Sequence, residues 1–117
     1  MTQIDTSDRK ALESALRGSA HFPGGEGYDD ARRVWNGMID RRPAAIVRAA
    51  GVADVNSAVG FARTRGLPLA IRCGGHNVAG NAVGDGGIVI DLGAMKSARV
   101  DALKRRARAD GGLLWRE

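Results

Sequence analysis

Residues 72–87 read Arg72-Cys73-Gly74-Gly75-His76-Asn77-Val78-Ala79-Gly80-Asn81-Ala82-Val83-Gly84-Asp85-Gly86-Gly87, and six of these sixteen positions are glycine. Glycine populates positive φ freely and lets a ligand approach the main chain closely, but it weakens the interior of any helix or strand. The stretch is therefore a loop. Apolar runs stand on both sides of it, Leu69-Ala70-Ile71 before and Ile88-Val89-Ile90 after, so the loop joins two strands. Consecutive exposed N–H groups in such a turn form a concavity suited to an anion. Its place after the C-terminal end of a strand is where α/β sheets bind ligands.

The flanking sequence supplies the elements of such a sheet. Ser7 is the expected N-cap of a first helix, with Asp8 in its first turn, Leu12, Ala15 and Leu16 at helical spacing and Gly18 at its end. After the turn Phe22-Pro23-Gly24-Gly25, residues 28–35 form a short helix carrying Ala31, Val34 and Trp35. Arg42-Pro43 marks an extended entry, and residues 44–50 read as a buried strand. Val52, Val55, Ala58, Val59 and Ala62 line one face of a helix closed by Gly66 and followed by Pro68. With the strand at 69–72 this makes a βαβ unit. A third strand covers 87–92. Val100 and 106–109 belong to a second, more exposed sheet. The segment Gly111-Gly112-Leu113-Leu114-Trp115-Arg116-Glu117 reads as a turn opening into a helix. The fold class expected is α+β, a small parallel sheet of about three strands with flanking helices.

At 117 residues the chain suits one domain. No apolar run approaches the roughly 20 residues of a membrane span, and the polar start has no signal-peptide pattern. A cytoplasmic location is the expectation, with no membrane partner. The formal charge is +5, with arginines far outnumbering lysines. The basic residues are scattered among acids, and the five aromatics do not interleave with them as a base-stacking platform requires. They read as solvated faces, and no nucleic-acid partner is expected. Cys73 is the single cysteine, which agrees with a reducing compartment. With His76 it makes half a metal site at most, so no metal is expected.

Two familiar readings of the glycine loop fail. A dinucleotide fingerprint opens a helix, whereas Gly84-x-Gly86 leads into a strand and Val89 stands at the third glycine position. Gly75 and Gly80 have the spacing of a P-loop, but Asn81 and Ala82 replace its Lys and Ser/Thr.

The order Arg72-Cys73-Gly74-Gly75-His76-Asn77, set between the strands 68–71 and 87–92, resembles the FAD-linked oxidases of the berberine bridge enzyme-like group. These have the FAD-binding domain of the p-cresol methylhydroxylase and vanillyl-alcohol oxidase (PCMH) type. Tyr28-Asp29-Asp30-Ala31-Arg32-Arg33-Val34-Trp35-Asn36, Arg42-Pro43-Ala44-Ala45-Ile46-Val47 and Val52-Ala53-Asp54-Val55 also fit the pattern. The resemblance runs from about Pro23 to the end, with its core at about 38–117. It implies that residues 1–117 are the N-terminal part of one FAD-binding domain, the substrate domain and catalytic base lying downstream.

It implies FAD as cofactor and His76 as the residue bonded to the flavin 8α-methyl carbon. Arg72, Cys73, Gly74, Gly75 and Asn77 would line the pyrophosphate and isoalloxazine, and Gly80 and Asn81 would follow along the cofactor. Cys73 departs from the Gly or Ser common there and carries no flavin bond in this reading. The expected function is FAD binding within an oxidoreductase that passes hydride from a small molecule to FAD, with oxygen as acceptor. The competing expectation is a truncated, non-catalytic fragment or interaction module. A basic nucleic-acid binder comes third.

Overall fold

A computed structural model describes residues 4–34, 36–74 and 83–117. In chain order these form α1 (Thr6–Ala15), β1 (Ser19–His21), α2 (Tyr28–Arg32), β2 (Ala45–Arg48), α3 (Val52–Arg65), β3 (Leu69–Arg72), β4 (Ile88–Asp91), β5 (Ala98–Asp101) and β6 (Arg106–Ala109). The main sheet has the order β1-β2-β4-β3. β4 pairs parallel with both β2 and β3, and β1 adds an antiparallel edge. β5 and β6 form a separate antiparallel pair. The expected α+β class with a small, mostly parallel sheet is the fold observed, enlarged by one strand.

β4 lies between the two strands of the βαβ unit, which explains its composition. A parallel strand covered on both faces must be apolar on both, and Ile88, Val89 and Ile90 are all buried. Because side chains alternate along a strand, the sheet has two cores. On one face, Ala45, Val47, Ile88 and Ile90 pack with Leu12, Phe22, Ala58, Phe61 and Ala62, residues that come largely from α1 and α3. On the other, Ile46 and Val89 pack with Tyr28 and Ala31 of α2 and with Val83. Each fully buried isoleucine contributes about 2 kcal/mol. Leu69 and Ile71 of β3, the open edge, stay partly exposed.

Several local expectations are corrected. The N-cap of α1 is Asp5, not Ser7: its carboxylate accepts the N–H of Asp8 at 2.7 Å and starts the helix at Thr6. The helix ends at Ala15, short of Gly18, because Leu16 is already extended. Gly18 serves close packing instead, since a Cβ there would lie 2.0 Å from the Arg48 carbonyl oxygen. α2 stops at Arg32, where Arg33 turns extended. α3 closes on Gly66 at φ 63° as expected, but its buried face is Asp54, Ala58, Phe61 and Ala62, leaving Val52 and Val59 exposed. The bulk of Phe61 and the hydrogen bonds of Asp54 set that rotation. β1 was not expected, since Ser19-Ala20-His21 has no apolar run and is a strand only through pairing with β2. Residues 111–117 form turns closed by bonds such as Leu113 N–H to the Asp110 carbonyl and Glu117 N–H to that of Leu114, not a helix.

Asp54 joins three parts of the fold. It is buried, and its carboxylate accepts the backbone N–H groups of Arg17, Gly18 and Ala50, each at 2.8 Å. The start of α3 is thereby tied to the turn after α1 and to the end of β2. Burial alone pushes this carboxyl up, but the three N–H donors outweigh it and hold it below the usual aspartate value. Asp54→Ala strands these donors and is expected to cost about 3 kcal/mol in urea unfolding. A carboxyl titrating lower in the folded state stabilises fully above its unfolded pKa and loses that contribution as pH falls through the folded value. The gap between wild type and Asp54→Ala should therefore narrow on acidification.

Candidate functional site

The parallel register places the last residues of β2, β4 and β3 side by side, with Arg48 opposite Asp91 and Asp91 opposite Arg72. All three lie on the α2 face of the sheet, one step beyond Ile46, Val89 and Ala70. Asp91 is buried. Its Oδ1 accepts the N–H of Gly93 at 2.8 Å, and its Oδ2 lies 3.6 Å from Nη2 of Arg48.

Arg72 turns toward α2. Its Nη1 donates to the carbonyl oxygens of Ala31 at 2.5 Å and Arg33 at 2.7 Å. The last carbonyls of a helix have no intrahelical partner, so this short helix offers acceptors where the arginine arrives. Nε of Arg72 is buried and, among the described residues, has no hydrogen-bond partner. A buried guanidinium N–H without an acceptor is costly, and an anionic oxygen would satisfy it.

Of the residues expected to hold a cofactor, the structure brings Arg72, the half-buried Cys73 and the exposed Gly74 to this strand end. Gly75, His76, Asn77, Gly80 and Asn81 lie outside the described residues. The chain is described again at Val83, which is buried. This far border is tied to the segment before β2. Arg41 Nη1 donates to the Val83 carbonyl at 3.0 Å, Arg42 N–H to Asp85 Oδ1 at 2.6 Å, and Gly86 N–H to the Arg42 carbonyl at 3.0 Å. A Cβ on Gly87 would lie 2.4 Å from the Pro68 carbonyl oxygen, so only glycine fits at the entry to β4.

α2 is itself anchored. The Tyr28 hydroxyl donates to the Pro43 carbonyl at 2.6 Å, and burial pushes its phenol up. Arg32 pairs with Asp29 at 2.9 Å and with Asp40, and its hydrogen bonds hold both carboxyls below the usual aspartate value. The sequence reading gave these residues no role. Beyond their place in the family pattern, the Asp29-to-Arg32 spacing of three was the visible signal of this pairing.

A family model described as an FAD binding domain matches residues 43–117. The chain is 37% identical over 108 residues to (R)-6-hydroxynicotine oxidase of Paenarthrobacter nicotinovorans, covering 92% of this chain and 24% of that protein. It is 36% identical to an FAD-linked oxidoreductase of Aspergillus fumigatus, covering 92% and 23%. Among solved structures, 6-hydroxy-D-nicotine oxidase from Arthrobacter nicotinovorans matches with a TM-score of 0.79 and 39% identity, over 84% of this chain and 22% of that one. Glucooligosaccharide oxidase from Acremonium strictum, with its 6-S-cysteinyl, 8α-N1-histidyl FAD, matches with a TM-score of 0.78 and 27% identity, over 90% and 22%. The chain spans about a quarter of the length of the curated relatives it matches.

The anchoring of α2 is testable without any ligand. Tyr28→Phe leaves the buried face filled but deprives the Pro43 carbonyl of its donor. Urea unfolding should show a loss of about 1 kcal/mol, and an unchanged midpoint would mean that this bond contributes nothing.

Proposed function

Because the chain belongs to this FAD binding domain family, with FAD as its cofactor, we propose that it supplies the loop side of the FAD site in a flavin-dependent oxidoreductase. The observation that carries the reading is Arg72. Its guanidinium stands at the C-terminal end of a parallel strand, at the mouth of the glycine loop, with a buried N–H that no described group accepts. A pyrophosphate oxygen has the charge and acceptor capacity to meet it, so the residues present fit the cofactor. In this reading Arg72, Cys73 and Gly74 begin the cradle. Gly75, Asn77, Gly80 and Asn81 continue it along the cofactor.

When bound, FAD supplies the hydride-accepting chemistry. The chain's own part is to hold and orient it. His76 would be the residue bonded to the flavin 8α-methyl carbon, its imidazole nitrogen replacing a methyl hydrogen that leaves as a proton while the two electrons pass to the flavin ring; a neutral imidazole nitrogen is nucleophilic near neutral pH. The histidyl-linked FAD of the glucooligosaccharide oxidase supports this reading. The substrate is a small molecule oxidised at a hydroxyl or C–H group, and oxygen is the terminal acceptor. Among the described residues no helix is long and apolar enough to cross a membrane, which agrees with the proposed cytoplasmic setting.

The hairpin favours a second reading, in which this chain binds the cofactor without completing a catalyst. Every residue of β5 and β6 is exposed, including Val100 at 76%, and a lone two-stranded hairpin is marginal in water. Binding of FAD with no turnover would select this reading.

Acid precipitation of the purified protein tests the covalent link. Yellow colour is expected to stay with the pellet in the wild type and to leave it in His76→Ala. Covalent flavin persisting in His76→Ala would sink the assignment.

A further inference from the structure

We propose that Arg32, outside the cofactor cradle, is a positioning residue for it, because its side chain ties together the two borders of the glycine-rich loop. The inference rests on the reading of Arg72 given above. The two acceptors that grip Arg72 Nη1 are the carbonyls of Ala31 and Arg33, the residues on either side of Arg32. α2 is only five residues long, and so short a helix does not hold its own geometry.

The Arg32 side chain provides what α2 lacks. Its Nε donates to Asp29 Oδ1 at 2.9 Å, at the start of the same helix, and its Nη1 donates to Asp40 Oδ1 and to the Arg41 carbonyl at 3.3 Å. The planar fork of a guanidinium can serve these acceptors together, which an ammonium cannot. The segment it reaches also holds the far border of the loop, through Arg41 Nη1 to the Val83 carbonyl and Arg42 N–H to Asp85.

A continuous path therefore runs from Arg72 through the last turn of α2 and Arg32 to residues 40–42 and on to residues 83–86. The side chain of Arg32 is 16% exposed, while those of Asp29 and Asp40 are 71% and 68% exposed. Pairs with such open carboxylates add little to global stability, so the consequence of this fork is geometric. It sets the separation and angle of the loop's two ends, and with them the direction of the Arg72 Nε, which no described group accepts.

The test uses the 117-residue chain, with Arg32→Gln, Arg32→Lys and Asp40→Asn beside Arg72→Gln. Heteronuclear NMR of the Arg72 guanidinium reads the grip without any ligand. The wild type should show slow rotation about the Nε–Cζ bond, and Arg32→Gln should average it. Arg32→Lys should recover this only in part. Titration with FAD in the His76→Ala background, where the flavin is held without a covalent bond, should show the dissociation constant rising about tenfold in Arg32→Gln, with Arg32→Gln adding less than about twofold once Arg72→Gln is also present. Asp40→Asn, which takes the charge off one exposed partner and spares the buried face, should act in the same direction by about threefold. Asp8→Asn, which breaks the remote Arg65 pair of 2.7 Å, should leave both readouts unchanged.

Unaltered Arg72 dynamics in Arg32→Gln, or fully additive effects on FAD affinity, would overturn the inference. If Arg32→Gln does not fold, unaltered Arg72 dynamics in Asp40→Asn overturn it equally. Unchanged FAD affinity in Arg72→Gln alone would instead remove the cofactor role of Arg72, and the NMR comparison would still decide whether Arg32 holds it.

Discussion

The parallel insertion of β4 between β2 and β3 is the constraint on which the rest of the structure depends. It brings the ends of three strands to one level and places Arg48, Asp91 and Arg72 in a row. It also accounts for the loop, since a parallel neighbour cannot be reached by a tight hairpin and the chain must travel back along the sheet. After β2 this return is α3. After β3 the connection to β4 is the glycine-rich segment, the one that carries the proposed cofactor residues.

Two kinds of tie hold this arrangement. Close main-chain packing is one, at Gly87 against Pro68 and at Gly18 against Arg48, where any side chain would collide with a carbonyl. The other is the use of side chains to serve orphaned backbone groups. Asp54 accepts three N–H groups, two from the distant turn after α1 and one from the end of β2, and Arg72 donates to two carbonyls at the end of α2. These ties lie at opposite ends of the charge scale, yet both meet the demand that buried backbone polar groups find partners. At Arg72 the demand is met only in part, and the remaining N–H marks the candidate site.

The sheet core was legible because Ala45–Val47 and Ile88–Ile90 are continuous apolar runs, the mark of strands buried on both faces. β5 and β6 were legible as exposed strands. β1 was hidden, as three small or polar residues become a strand only when β2 offers its edge. The rotation of α3 was hidden too. Its valines suggested one face, but Asp54 is buried by hydrogen bonds that no apolar pattern can report. Of the site, the loop and its strand context could be read directly, with Arg72, Cys73 and Gly74 at its mouth.

By itself the sequence determined the strands around the loop, the α+β class and a family pattern centred on Arg72 to Asn77. These follow from local chemistry: the period of apolar residues, the conformational freedom of glycine and the order of a short motif. Only the tertiary structure decided that β4 enters between β2 and β3, that Asp54 is a buried acceptor, and that Arg72 is gripped by α2 with one N–H unpaired among the described residues. Each of these depends on partners remote in the chain, such as Arg17 for Asp54 and Ala31 for Arg72, 37 and 41 residues away, and no local pattern encodes which distant backbone group a side chain will meet.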